Sequence, residues 1–256
     1  MRKIWKYIEI FFLCVSIIIL LISNSLKFDD SPVMGYDKLI ADIIISLLCF
    51  ILIIILNIKG TAGFNKKGFL KGLILGIPFI VIGLGSVIFS NIGIDIKNIK
   101  LISISNTLLF TINMLFIGIN EELWMRGLIF NGLTYKYKNS IWKPIIISSL
   151  IFGIVHIVNI FFVNPITLIV QIINAMAGGI LFATIFIKSK NIYSVIVIHA
   201  LTDFISLFLA NCFTGCNSAL GLEINIFQAI FMVIAGSIPP ILISIFLLKD
   251  YKVIEE

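Results

Sequence analysis

The chain has 256 residues, 60% hydrophobic and 12% charged, against roughly 45–50% and 25% in ordinary soluble domains. With a mean hydropathy of +1.15, that composition excludes a soluble globular enzyme and describes an all-α polytopic membrane protein. The net charge of +6 implies no nucleic-acid partner, because basic residues collect on the cytoplasmic side of membrane proteins.

Arg2, Lys3 and Lys6 precede an apolar run at 7–23. It begins like a secretory signal, but it exceeds a signal core of about 7–15 residues, and Ser-Asn-Ser after it is a poor cleavage site, so a retained first span is expected. Further runs of spanning length follow at 39–58, 69–90, 101–133, 141–163, 166–187, 192–210 and 224–248. They predict about eight helices, with both chain ends on one side. The longest polar interval, 23–38, is too short to fold alone. The chain therefore reads as one membrane domain: a three-span region at 1–100, a polar core at 101–212, and an outer loop, last span and tail at 213–256.

Basic residues outside the spans divide 14 to 4, with only Lys27, Lys38, Lys97 and Lys100 on the side opposite the termini. This split predicts an integral, multi-pass protein with both termini in the cytoplasm. Gly72, Gly76, Gly83, Gly178 and Gly179 are expected to let helices approach closely. Cys212 and Cys216 are expected as free thiols, with a disulfide between them as the alternative; zinc would need more ligands than that loop offers. The first three spans hold no ionisable residue deep in the membrane, Glu9 and Asp42 lying near span ends.

The polar chemistry gathers in the fourth, fifth and seventh spans. Asn120-Glu121-Glu122-Leu123-Trp124-Met125-Arg126-Gly127 puts two acids and a guanidinium inside an apolar run, where ionisable groups are costly and face a polar cavity or a partner. Glu122 and Arg126 are four apart and can pair with the acid on the N-terminal side, leaving Glu121 as the chemically available carboxylate. The chain's two histidines, His156 and His199, also lie in apolar runs, and Asp203 shares a helix face with His199. Taken singly, a membrane histidine is a hydrogen bond between helices; the set as a whole is more cheaply buried together. At about 1.5 Å rise per residue, Glu121, His156 and His199 lie about 15, 18 and 12 Å from the cytoplasmic helix ends. A carboxylate, two imidazoles and a further acid suit hydrolysis by an activated water. No Gly-x-Ser-x-Gly and no His-Glu-x-x-His occurs, and covalent catalysis is disfavoured.

Glu121-Glu122-x-x-x-Arg126, Phe152-x-x-x-His156 and His199-x-x-x-Asp203 resemble the three ordered motifs of the CAAX prenyl protease and bacteriocin-processing family of intramembrane proteases. The resemblance covers about 108–210. It implies a type II CAAX prenyl endopeptidase with a conical catalytic cavity opening toward the cytoplasm, acting on a prenylated or hydrophobic peptide at the lipid boundary. By the same resemblance, Glu121 and His156 activate water, His199 and Asp203 stabilise the oxyanion, and Glu122 and Arg126 support them. Members are described both as metal-independent and as metalloproteases, so either no cofactor or one divalent metal such as zinc, held by Glu121, His156, His199 and Asp203, is compatible.

Asp203 stands where asparagine is commoner in the family. An ionised aspartate only accepts hydrogen bonds, so an oxyanion role requires its protonated form; otherwise it orients His199 or binds a metal. Asn120 and Asn159 read as cavity or interhelical hydrogen bonds, and Trp124 and Trp142 as packing or interfacial anchors. Two rivals use the same residues: a bacteriocin self-immunity protein acting by binding, and a proton-coupled transporter, which the lack of paired repeats disfavours.

Overall fold

The computed structural model describes residues 35–94, 97, 99–161, 163–216 and 224–251. Among them seven helices are long and apolar enough to cross a membrane; the expected first span at 7–23 lies outside the described residues. The helices are α1 (Tyr36–Ile55), α2 (Phe69–Ser90), α3 (Ile104–Glu122), α4 (Asn131–Lys136), α5 (Trp142–Val155), α6 (Pro165–Ser189), α7 (Ile192–Cys212) and α8 (Ile226–Leu248). A π-helix, Leu123–Phe130, joins α3 to the short α4 in one continuous rod, and a 3-10 segment, His156–Phe161, extends α5.

Side chains that satisfy orphan amides start several of these helices. Ser103 accepts from the Asn106 amide, Asn164 from Thr167 with Pro165 following it, and Asn191 from Ser194. Asn225 and Gln228 form a reciprocal capping box at the start of α8.

Small residues set the seams. A Cβ on Gly118 of α3 would meet the Ala200 Cβ of α7 at 2.9 Å and the Ile196 carbonyl at 3.0 Å, and one on Gly179 of α6 would meet Ser149 of α5 at 3.1 Å. Gly72 and Gly76 likewise admit Ser194 and Ile198 of α7, whereas Gly83 has only ordinary contacts. Because Gly118 is three residues before Glu121 and Ala200 is next to His199, the tightest part of the α3–α7 seam lies beside the motifs.

The two ends of the bundle are fastened differently. At the lysine-rich end, Asn191 donates to the carbonyls of Asn65 and Lys67, Asn65 donates to Lys190, and Ile192 N–H reaches Gly63. These bonds bolt the α1–α2 loop to the α6–α7 turn. Gly68, at φ +80, lies against the Ser189 carbonyl, where no Cβ fits. At the other end Lys100–Leu101 pairs antiparallel with Phe213–Thr214.

The interior cluster runs from Ile45, Cys49 and Ile53 of α1 through Met125, Leu128 and Phe130 to Leu181, Ile185 and Ile198. Outward-facing Ile40, Ile44, Leu108, Ile112, Phe231 and Leu242 are exposed, the pattern of a lipid-facing surface. Trp124 is buried and Trp142 half-buried at the start of α5. Cys49, Cys212 and Cys216 are free thiols.

Candidate active site

The residues of all three motifs converge at the junction of α3, the π-helix, the end of α5 and the middle of α7. Glu122 is fully buried and forms the hub. Its Oε1 accepts Arg126 Nη1–H at 2.7 Å and His199 Nδ1–H at 2.6 Å. The expected Glu122–Arg126 pair is therefore present; the bond to His199, 77 residues away, crosses from α3 to α7.

Arg126 is held on all sides. Its Nη2 donates to the Gly179 carbonyl at 3.2 Å, and the guanidinium stands 5.2 Å from the ring centres of both Phe152 and Phe182. Phe182 also stacks on His199 at 4.7 Å, and Phe152 meets both imidazoles edge-on, His156 at 5.3 Å and His199 at 5.7 Å. Phe152, the first residue of the second motif, thus contacts charged or titratable groups from the other two.

The bond to Glu122 fixes how His199 is used. A carboxylate oxygen only accepts, so Nδ1 carries the proton and Nε2 is turned the other way, 3.4 Å from Asp203 Oδ2 and 3.6 Å from Glu121 Oε2. His156 is oriented by its own helix: Nδ1–H donates to the Phe152 carbonyl at 2.8 Å, and Nε2 has no hydrogen-bond partner among the described residues. Glu121 interacts electrostatically with both histidines and with Asp203.

Burial separates two sets. The side chains of Glu122, Arg126 and His199 are 0%, 3% and 5% exposed, whereas those of Glu121 and Asp203 are 28% and 33% exposed, and His156 is half-buried. A buried frame therefore carries an accessible rim of Glu121, Asp203 and His156, with His199 Nε2 between the two acids.

The π-helix contributes to this arrangement. All eight of its residues are buried, and Asn131 donates to the carbonyls of Gly127 and Arg126 at 2.9 and 3.4 Å, groups whose usual helical partners the wider turn displaces. Asn159 ties its segment to α6 through Gln171 at 3.0 Å, an interhelical bond. A lipid-side groove of about 580 Å³ between α1, α3 and α7 is lined by Leu115, Ile119 and Leu123. Glu121 is two residues from Ile119, about 200° round the helix, so the groove and the motifs occupy different faces of α3.

Among the described residues no three histidine, cysteine, aspartate or glutamate side chains are arranged to hold a metal ion. Both Nδ1–H groups are held, on Glu122 and on the Phe152 carbonyl, which leaves the Nε2 atoms as the ring nitrogens turned to other groups.

Sequence reasoning missed Asp42. Placed near a span end, it is 2% exposed and accepts the side-chain amide of Asn120, the residue before Glu121, at 3.0 Å.

Residues 103–205 match the family model described as Rce1-like, type II CAAX prenyl endopeptidase Rce1-like. No curated protein and no solved structure matches the chain. The matched segment holds the Glu-Glu-Arg, Phe-His and His-Asp motifs whose side chains meet around Glu122, and over these residues the chain is similar to type II CAAX prenyl endopeptidases.

Proposed function

We propose that the protein is an intramembrane endopeptidase that hydrolyses a peptide bond near a lipidated or membrane-associated C-terminus, using a water activated by Glu121 and His156. The observation that carries this reading is the orientation of His199: with Nδ1 held by buried Glu122, its Nε2 faces accessible Glu121 and Asp203 at 3.6 and 3.4 Å.

In this reading Glu121 removes a proton from a water that His156 Nε2 also holds, and the hydroxide adds to the scissile carbonyl carbon. The negative oxygen that results is stabilised by Nε2–H of protonated His199, whose charge Glu122 balances through Nδ1–H. Collapse of the adduct breaks the C–N bond, and the proton taken by Glu121 passes to the departing amine. One water is consumed, and one carboxylate and one protonated amine result. Asp203 holds the Nε2 side of His199, and Arg126 pairs with Glu122 in the interior.

The substrate class follows from the setting: a peptide reaching these residues must enter the bilayer, which selects hydrophobic or prenylated chains. The lysine-rich end of the bundle, with both termini, is assigned to the cytoplasm. The test is product mapping by mass spectrometry after incubating the full chain in liposomes with a farnesylated peptide ending in a CAAX sequence. A single internal cut close to the farnesylated cysteine is expected; an intact peptide, together with intact unmodified hydrophobic peptides, would overturn the reading.

A further inference from the structure

Asp42 belongs to α1, outside the matched segment 103–205, yet it is among the most deeply buried charged groups of the described residues, 2% exposed. A carboxylate there is costly unless it is paired and hydrogen-bonded. Lys38 Nζ lies 2.8 Å from Oδ1 and 2.6 Å from Oδ2, and Oδ1 also accepts Asn120 Nδ2–H at 3.0 Å. Lys38 itself is 38% exposed, so its charge stays partly solvated while Asp42 points inward.

Holding α1 against the bundle does not require this device. Ile45, Cys49 and Ile53 already bury an apolar face of α1 in the core, and the polar tie that Asp42 makes from α1 to α3 falls on the residue before Glu121. Glu121 is thereby bracketed. On one side Asn120 is bonded to α1; on the other Glu122 is bonded to Arg126 and to α7. The bracket lies in the last turn of α3, immediately before the π-helix that starts at Leu123. A change of hydrogen-bond register at such a junction rotates every side chain beside it, so a carboxylate there holds its aim only if its neighbours are fixed.

We infer that Asp42 is a positioning residue for Glu121, acting through Asn120, with Lys38 as the counter-charge that lets Asp42 be buried. The inference rests on the reading of Glu121 as the water-activating carboxylate. It assigns to α1 a part in the reaction, and it makes Asn120 a working element of the first motif.

The test uses the full chain in liposomes with the farnesylated CAAX peptide. Asp42→Leu and Asn120→Ala should each lower kcat at least tenfold while KM stays within twofold. The double variant should be no slower than the slower single, because both remove one link. Asp42→Asn, whose side-chain oxygen still accepts from Asn120, should keep at least a third of wild-type kcat. If Asp42→Leu fails to fold, Asn120→Ala carries the same expectation. An independent readout is labelling by dicyclohexylcarbodiimide followed by mass spectrometry: the rate at Glu121 should change at least threefold in Asp42→Leu and Asn120→Ala, with Asp203 unchanged.

Wild-type kcat in Asn120→Ala, or effects that multiply in the double variant, would overturn the inference. If the wild type leaves the peptide intact, the peptidase reading fails by itself and labelling decides the positioning: an altered rate at Glu121 supports it, an identical rate overturns it.

Discussion

His199 Nδ1 and Glu122 Oε1 lie 2.6 Å apart, and the same oxygen takes Arg126 Nη1 at 2.7 Å. One buried carboxylate atom thus balances a guanidinium and orients an imidazole from another helix. Removing it leaves Arg126, 3% exposed, without its counter-charge, and breaking one partner of a buried pair costs about 3–5 kcal/mol. Glu122→Leu should sharply lower the melting temperature in detergent. Glu122→Leu combined with Arg126→Met should recover part of that loss, since an apolar replacement of both partners is tolerated better. A double variant less stable than the single would contradict the ion-pair account.

His156 has its Nδ1 fixed on the Phe152 carbonyl at 2.8 Å and makes no hydrogen bond to Glu122, Arg126 or His199. His156→Ala should therefore leave thermal stability nearly unchanged while kcat falls by about 10²–10⁴, the usual span for a lost proton-transfer group. Steady-state kinetics beside a melting curve separates the two; loss of both together would make His156 a structural residue.

For Asp203, the 3.4 Å contact to His199 Nε2 admits an amide as well as a carboxylate, and an amide adds a donor. Asp203→Asn should keep cleavage within about tenfold of wild type, and Asp203→Leu should lose more. A near-complete loss in Asp203→Asn would show that the carboxylate itself is needed.

Gly118 tests the seam that brings the first and third motifs together. A side chain there meets Ala200 at 2.9 Å and the Ile196 carbonyl at 3.0 Å, and overpacking a close contact costs about 1–3 kcal/mol. Gly118→Val should reduce stability and, by shifting Glu121 against His199, lower kcat by about 10²-fold. Gly85→Ala, where nothing lies within 4 Å, should match wild type in both assays.

What the sequence could tell follows the range of its signals. Contacts within one helix turn were legible: Glu122 with Arg126 and His199 with Asp203 are both four apart, and both are present. Apolar runs located seven helices to within a few residues, with 69–90 coinciding with α2. The bond from His199 to Glu122 was not legible, because it depends on how α7 is rotated against α3. Asp42 was discounted for a related reason: its position along α1 gives its depth but not which helix it faces. The π-helix left no signal in composition either, and the 3-10 tightening that starts at His156 shows only in the hydrogen-bonding of the folded chain.

The most direct test of the central claim compares wild type with Glu121→Gln, an isosteric change that removes only the ability to take a proton. Both proteins are reconstituted in liposomes at equal, mass-checked amounts and given the farnesylated CAAX peptide. The account predicts cleavage by wild type and at least a thousandfold lower kcat in the variant, with equal melting temperatures. Turnover by Glu121→Gln at the wild-type rate would contradict it.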